Sequence, residues 1–242
     1  MIFTTVKRDY WPTREWRSAD AAGAGMDPAK LAGLERALKL QYKNVNGIVI
    51  VRKGTIVFER YYHGCADSES HHIASVTKSV ISALIGIAID TGHIKSVEQK
   101  VLDFFPDFAT GDTDIRKRTI TIKHLLTMTA PFAWKNTGAK GSEPLNRLRM
   151  QRDWISYILE LLGRNGQPGR FQYSSIGAHL LSAIITRATG MRAREFANKH
   201  LFRPTGMKEI PQRKMSSFTQ DDMFGKNVTG WIHDPGGNST GG

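Results

Sequence analysis

Apolar residues recur along the chain in two rhythms, and these divide it into elements. After Asp27 and Pro28, an N-cap and N1 pair, Leu31, Leu34, Ala37, Leu38 and Tyr42 return at three- and four-residue spacing, which predicts a helix over about 28–42. The runs 47–52 and 55–62 are instead rich in β-branched and aromatic residues and are joined by Lys53-Gly54, the pattern of a β-hairpin. Helical patterning resumes from 75 to about 91, closed by Gly92 at the C′ position, and again at 120–128, 153–163, 175–189 and 192–202, with Gly163, Gly190 and Pro204 near the ends of the last three. Between them, 101–108 is apolar but turn-rich, and 131–152 is mostly loop, carrying Pro131, Gly138, Gly141 and Pro144. No internal repeat is present.

Composition narrows the class. A chain of 242 residues with 40% hydrophobic and 9% aromatic residues has the material for a globular core, which excludes wholesale disorder and fibrous architectures. The net charge of +12 suits an anionic partner, yet the basic clusters at 147–170 and 187–214 lack interleaved aromatics and any DNA-binding motif. No specific nucleic-acid partner is therefore expected. Cys65, the single cysteine, excludes an intrachain disulfide and a cysteine-built zinc site. His71 and His72 are adjacent and so point apart, and Asp112-Thr113-Asp114 lacks the glycine and glutamate of a calcium loop, so neither a metal nor a cofactor is expected. His124 and His179 sit in apolar helical patterns and read as structural. The first residues lack the apolar core of a secretory signal, and no run reaches the ~18 apolar residues of a membrane span. The expectation is a cytoplasmic protein without a transmembrane segment, or a periplasmic or secreted one if a leader has been removed; nothing in the sequence sets an oligomeric state.

The most informative stretch opens the helix at 75. At about 100° per residue, Ser75, Lys78, Ser79 and Ser82 share one arc of an otherwise apolar helix, which is expected to be buried with that stripe facing something specific. Residues three apart are neighbours, so the Lys78 amine can reach the Ser75 hydroxyl, and a lysine in apolar surroundings is more available as a base. The N–H groups at the start of the helix have no intrahelical partner and suit an oxyanion. The plain alternative is that Ser75 merely caps the helix while Lys78 reaches water. About a hundred residues on, Tyr173 precedes a helix that Ser174 or Ser175 can cap, which presents its phenol at a loop tip, where it could relay a proton.

The order of these parts resembles the serine β-lactamase-like hydrolases: class C β-lactamases, penicillin-binding-protein-like peptidases, related esterases and 6-aminohexanoate-dimer hydrolases. The resemblance rests on Ser75-x-x-Lys78, Gly92-His93-Ile94, Asp103-Phe104-Phe105-Pro106, Ile122-Lys123-His124-Leu125-Leu126-Thr127-Met128-Thr129, Phe171-x-Tyr173-Ser174-Ser175, Thr189-Gly190 and Pro204-Thr205-Gly206-Met207, in that order. It implies that Ser75 is an acylated nucleophile, Lys78 its partner base, Tyr173 a proton shuttle and Ser175 a pocket-lining residue, acting on a small-molecule ester, amide or lactam. Serine at 175, where many relatives have asparagine, leans toward the esterase or amide-hydrolase branch. The Thr127-Met128-Thr129-Ala130-Pro131 turn departs from the family's Thr-x-Ser-Gly by losing its glycine.

The implied fold class is α+β: a β-lactamase/transpeptidase-like antiparallel sheet flanked by helices, with an inserted, mostly helical lobe. The expected organisation is an N-terminal arm at 1–25, a discontinuous α/β lobe at 26–105 and 171–242, and the helical lobe at 106–170. After Trp231 the sequence runs into turn chemistry, Asp234-Pro235-Gly236-Gly237, without the family's later strand bearing Lys or His before Ser/Thr-Gly. The expectation is thus a C-terminally truncated relative whose last strands are missing, with a degenerate, non-catalytic protein as the alternative to an active serine hydrolase.

Overall fold

The computed structural model describes residues 10–68, 73–109, 115–133, 147–148, 150–164 and 166–210. The turn-rich stretch from 231 to 242, the His71-His72 pair and Asp112-Thr113-Asp114 lie outside the described residues, as does most of the loop expected at 131–152. The chain forms two compact units.

The first unit takes the described residues up to 68, with 203–208. Helix α1, Pro28–Gln41, starts where predicted because the Asp27 carboxylate accepts hydrogen bonds from the Ala29 and Lys30 N–H groups, and it buries Leu31 and Leu38. Strands β1, Gly47–Arg52, and β2, Thr55–Tyr61, pair antiparallel across Lys53 and Gly54, whose φ angles of 52° and 82° are those of a two-residue hairpin turn. The register breaks once: Ile50 faces Phe58 and Val51 faces Ile56, so Val57 is the extra residue of a bulge. That irregularity accounts for the burial of Val57 and Phe58 side by side, which strict alternation would forbid. The N-terminal segment joins β2, since Ile56 donates to the Arg17 carbonyl and accepts from the Ala19 N–H.

The second unit takes the described residues from 73 to 202, with 209 and 210, and is mainly helical. Its principal helices are α2, Val76–Asp90; α3, Ile122–Leu126; α4, Trp154–Leu161; α5, Ser175–Thr189; and α6, Ala193–Ala197. Helix α5 is central, because every residue from 176 to 185 is buried. Around it pack α2, α3, α4, α6 and the 3-10 turn Val101–Phe104, through Ile81, Leu84, Ile85, Ile158, Leu180, Ile184 and Phe196. His179 lies buried against the Trp154 ring at 5.5 Å between centroids, and His124 accepts the Thr121 N–H at the start of α3, so both have the structural roles their patterns imply.

One expectation needs correction. Helix α2 is not buried all round: Ile81, Leu84, Ile85 and Ala88 face the core, while Ser79, Ser82, Ala83 and Gly86 are exposed. Isoleucines outside the i, i+3, i+4 stripe made the whole helix look apolar, whereas the small residues between them form a solvent face. The helix predicted over 192–202 also changes pitch, α6 giving way to a π-helical turn over Asn198–Phe202. Among the described residues, no helix is long and apolar enough to cross a membrane.

Candidate active site

All four residues expected to form a site lie in the second unit. Ser75 stands at the start of α2, at the end of a tight turn in which Ala74 takes a φ of 43°, a left-handed conformation that costs a residue bearing a Cβ. Ser75 itself is helical, φ −68° and ψ −5°, and makes no capping hydrogen bond to its own helix. A capping serine typically has an extended backbone that swings its oxygen over the following N–H groups, so the helical conformation of Ser75 is not that of a cap.

The hydroxyl is engaged elsewhere. Lys78, half-buried one turn along α2, donates from Nζ to Ser75 Oγ at 3.0 Å. Across the unit, Tyr173 places its phenol oxygen 2.5 Å from the same Oγ, and Lys78 Nζ lies 5.3 Å from the Tyr173 ring centre. Ser75 Oγ is thus the common point between an amine and a phenol whose positions are 98 residues apart.

The N–H groups at the helix start behave differently from the sequence expectation. Those of Val76, Thr77 and Lys78 are taken up by the Ile73, Ala74 and Ser75 carbonyls at 3.0–3.2 Å. The turn before α2 continues its hydrogen bonding backwards, and the N–H of Ser75 is the one left without an acceptor among the described residues. It belongs to the nucleophile candidate itself.

Tyr173 is held from both sides. Ser174 caps α5, accepting the Gly177 N–H at 3.0 Å, which fixes the residue after it. Before it, the Gln172 N–H donates to the Met128 carbonyl at 2.8 Å and the Gly169 N–H to the Thr129 carbonyl at 3.0 Å. Tyr173 is 40% exposed, as a loop-tip position requires. Partial burial pushes it toward the neutral form, but the hydrogen bonds with Ser75 and Lys78, the Lys78 charge and a hydrogen bond with Ser175 outweigh that, holding it below the ordinary tyrosine value. Ser175, half-buried in the first turn of α5, contributes the smallest part of that lowering. Sequence reasoning did not single out the 128–172 backbone link; its one signal was the missing glycine in the 127–131 turn. Among the described residues no group of three or more His, Cys, Asp or Glu side chains could hold a metal ion.

A serine, a lysine one turn later and a tyrosine converging on the serine oxygen invite comparison with known hydrolases. The Beta-lactamase family model matches residues 35–211. The chain belongs to the Beta-lactamase family. It is 26% identical over 180 residues to the 6-aminohexanoate-dimer hydrolase of Paenarthrobacter ureafaciens, covering 72% of this chain and 45% of that one. To the esterase EstB of Burkholderia gladioli it is 25% identical over 215 residues, covering 79% and 54%. Among solved structures, the octameric penicillin-binding protein homologue from Pyrococcus abyssi superimposes with a TM-score of 0.56 at 21% identity, over 89% of this chain and 50% of that one. At that identity the likeness establishes the fold, which is β-lactamase/transpeptidase-like and α+β, as expected. The chain spans about half the length of these three proteins. The family is one of serine hydrolases, with an esterase and a 6-aminohexanoate-dimer hydrolase among the relatives.

Proposed function

We propose that the protein is a serine hydrolase that works through an acyl-enzyme on an ester, amide or lactam carbonyl, leaning to esters and amides. The observation that carries this reading is the double engagement of Ser75 Oγ, by Lys78 Nζ at 3.0 Å and the Tyr173 phenol at 2.5 Å, combined with its freedom from capping. Both contacts are within the reach required of a nucleophile and its base.

Ser75 Oγ attacks the carbonyl carbon and forms the new C–O bond. Its proton passes into the Lys78–Tyr173 pair, and the Tyr173 phenol, its ionised form favoured by its neighbours, is the group placed to accept it. The N–H of Ser75 is available to the carbonyl oxygen as it gains charge. The tetrahedral species collapses as the pair returns the proton to the departing alcohol or amine. Water then attacks the acyl carbon, delivering a proton back through the same pair, and leaves a carboxylic acid and the restored Ser75 hydroxyl. Ser175, next to the Ser174 cap, helps to keep the Tyr173 phenol below its ordinary value. The lean toward esters and amides rests on serine at 175 and on the names of the two hydrolase relatives.

The test is acylation by a serine-directed fluorophosphonate probe, followed by mass mapping of the labelled peptide. Label on Ser75 that disappears in Ser75→Ala is the expected result, and label that persists in that variant would overturn the assignment.

A further inference from the structure

Among the described residues, Lys53, His63, Ala74 and Met128 are the non-glycine residues with positive φ. Lys53 belongs to the hairpin turn and Ala74 precedes Ser75, but Met128, at φ 55°, is remote in sequence from every residue assigned to the site. It ends α3. The Met128 N–H donates to the Leu125 carbonyl and the Thr129 N–H reaches back to the His124 carbonyl at 2.8 Å, so Met128 occupies the left-handed position just past a helix, where glycine is the usual occupant.

The conformation has a directional consequence. A left-handed residue reverses the course of the chain, and here the reversal is secured by the Thr127 hydroxyl, which lies 2.8 Å from the Lys123 carbonyl and 2.9 Å from the Thr129 hydroxyl. Two consecutive carbonyls, those of Met128 and Thr129, then face the segment 169–172 and accept its Gln172 and Gly169 N–H groups. Tyr173 follows Gln172 directly. The path from the strained residue to the phenol is therefore one hydrogen bond and one peptide unit.

We infer that Met128 is a positioning residue: its left-handed backbone aims the 128 and 129 carbonyls at the segment 169–172 and so fixes Tyr173 against Ser75 Oγ. The inference deepens the serine-hydrolase reading and rests on it for its consequence in catalysis, while its structural content stands on the backbone alone. It makes conformation, and not the thioether side chain, the property that position 128 must have. Glycine and asparagine tolerate the left-handed region, whereas a β-branched residue is driven out of it.

The experiment compares Met128→Gly, Met128→Asn and Met128→Val in the 242-residue chain by two readouts. The first is the rate of fluorophosphonate labelling as a function of pH. The second is the ultraviolet titration of Tyr173, isolated by subtracting the same curve for Tyr173→Phe. Met128→Gly and Met128→Asn are expected to stay within about threefold of the parent rate with the titration midpoint unmoved. Met128→Val is expected to lose between about 10-fold and 100-fold in rate, the cost of a misplaced catalytic group, while the Tyr173 midpoint moves up toward the ordinary tyrosine value as its bonds to Ser75 and Lys78 lengthen. A folded Met128→Gly that loses as much as Met128→Val would overturn the inference, because the side chain would then be what matters. So would a Met128→Val with parental rate and midpoint. If Met128→Val does not fold, the glycine and asparagine variants still decide between backbone and side chain. If the parent protein takes no label at Ser75, the functional reading fails separately, and the Tyr173 titration still judges Met128.

Discussion

Two fifteen-residue helices in the same unit start at a serine, and the two serines do opposite things. Ser174, before α5, has an extended backbone at φ −143° and ψ 111°, is 5% exposed, and spends its hydroxyl on the Gly177 N–H of its own helix. Ser75, before α2, is already helical, is exposed, and offers its hydroxyl to Lys78 and Tyr173. In sequence both are a serine opening an apolar helix. The difference lies in the residue before each: Ala74 takes a left-handed φ that winds the turn early and takes up the N–H groups a capping hydroxyl would otherwise satisfy. A capping serine stabilises its helix, and a serine excused from capping is available for chemistry.

The widest separation of the two serines should appear in acylation. Ser75→Ala should abolish labelling by a fluorophosphonate probe, while Ser174→Ala should label more slowly but measurably, since it loosens one support of Tyr173 and removes no group proposed to transfer a proton. Tyr173→Phe comes next. Removing a positioned acid or base costs about 10²–10⁴-fold, and here the pH dependence should change with it. Because its neighbours hold the Tyr173 phenol below its ordinary 10.0, labelling of the parent should rise with pH through a midpoint under that value, and the rise should be missing in Tyr173→Phe.

Stability should separate the serines in the reverse sense. Leu84→Ala in α2 and Leu180→Ala in α5 remove side chains that are wholly buried, and each should cost about 2–5 kcal/mol in urea unfolding, showing the two helices to be anchored alike. Against that scale, Ser174→Ala should cost about 1 kcal/mol for its lost cap. The smallest effect is the most telling: Ser75→Ala should shift stability by under about 0.5 kcal/mol, since no cap bond is lost. A loss from Ser75→Ala equal to that from Ser174→Ala would erase the distinction.

How much of this the sequence carries depends on whether the cause is local. The Asp27-Pro28 start of α1, the Lys53-Gly54 turn and the Gly92 stop each follow from residues within a turn of the feature, and all three are where the pattern puts them. The burial of Val57 beside Phe58 was not legible, because a bulge is a property of the pairing and not of either strand. The spacing of Ser75 and Lys78 predicts their 3.0 Å contact, for both sit on one helix. The loop-tip position of Tyr173 is legible ahead of the capped helix, but its pairing with Ser75 follows only from the order of motifs, since the approach is made by packing over 98 residues of chain. The solvent face of α2 is not legible because Ile87 and Ile89, outside the buried stripe, make the whole helix look apolar while Ser79, Ser82, Ala83 and Gly86 take the outside, a choice made by neighbours and not by hydropathy.

The complete burial of α5 from 176 to 185 has a consequence in time. Amide protons there are expected to exchange mainly through large openings of the unit, whereas those of loop tips exchange through small local excursions. Tyr173 is exposed, yet it is spliced one residue ahead of the slowest-exchanging helix expected in the unit, with Ser174 as the splice. Its ring can move on the timescale of a side chain while the Cα beneath it keeps the lifetime of the core.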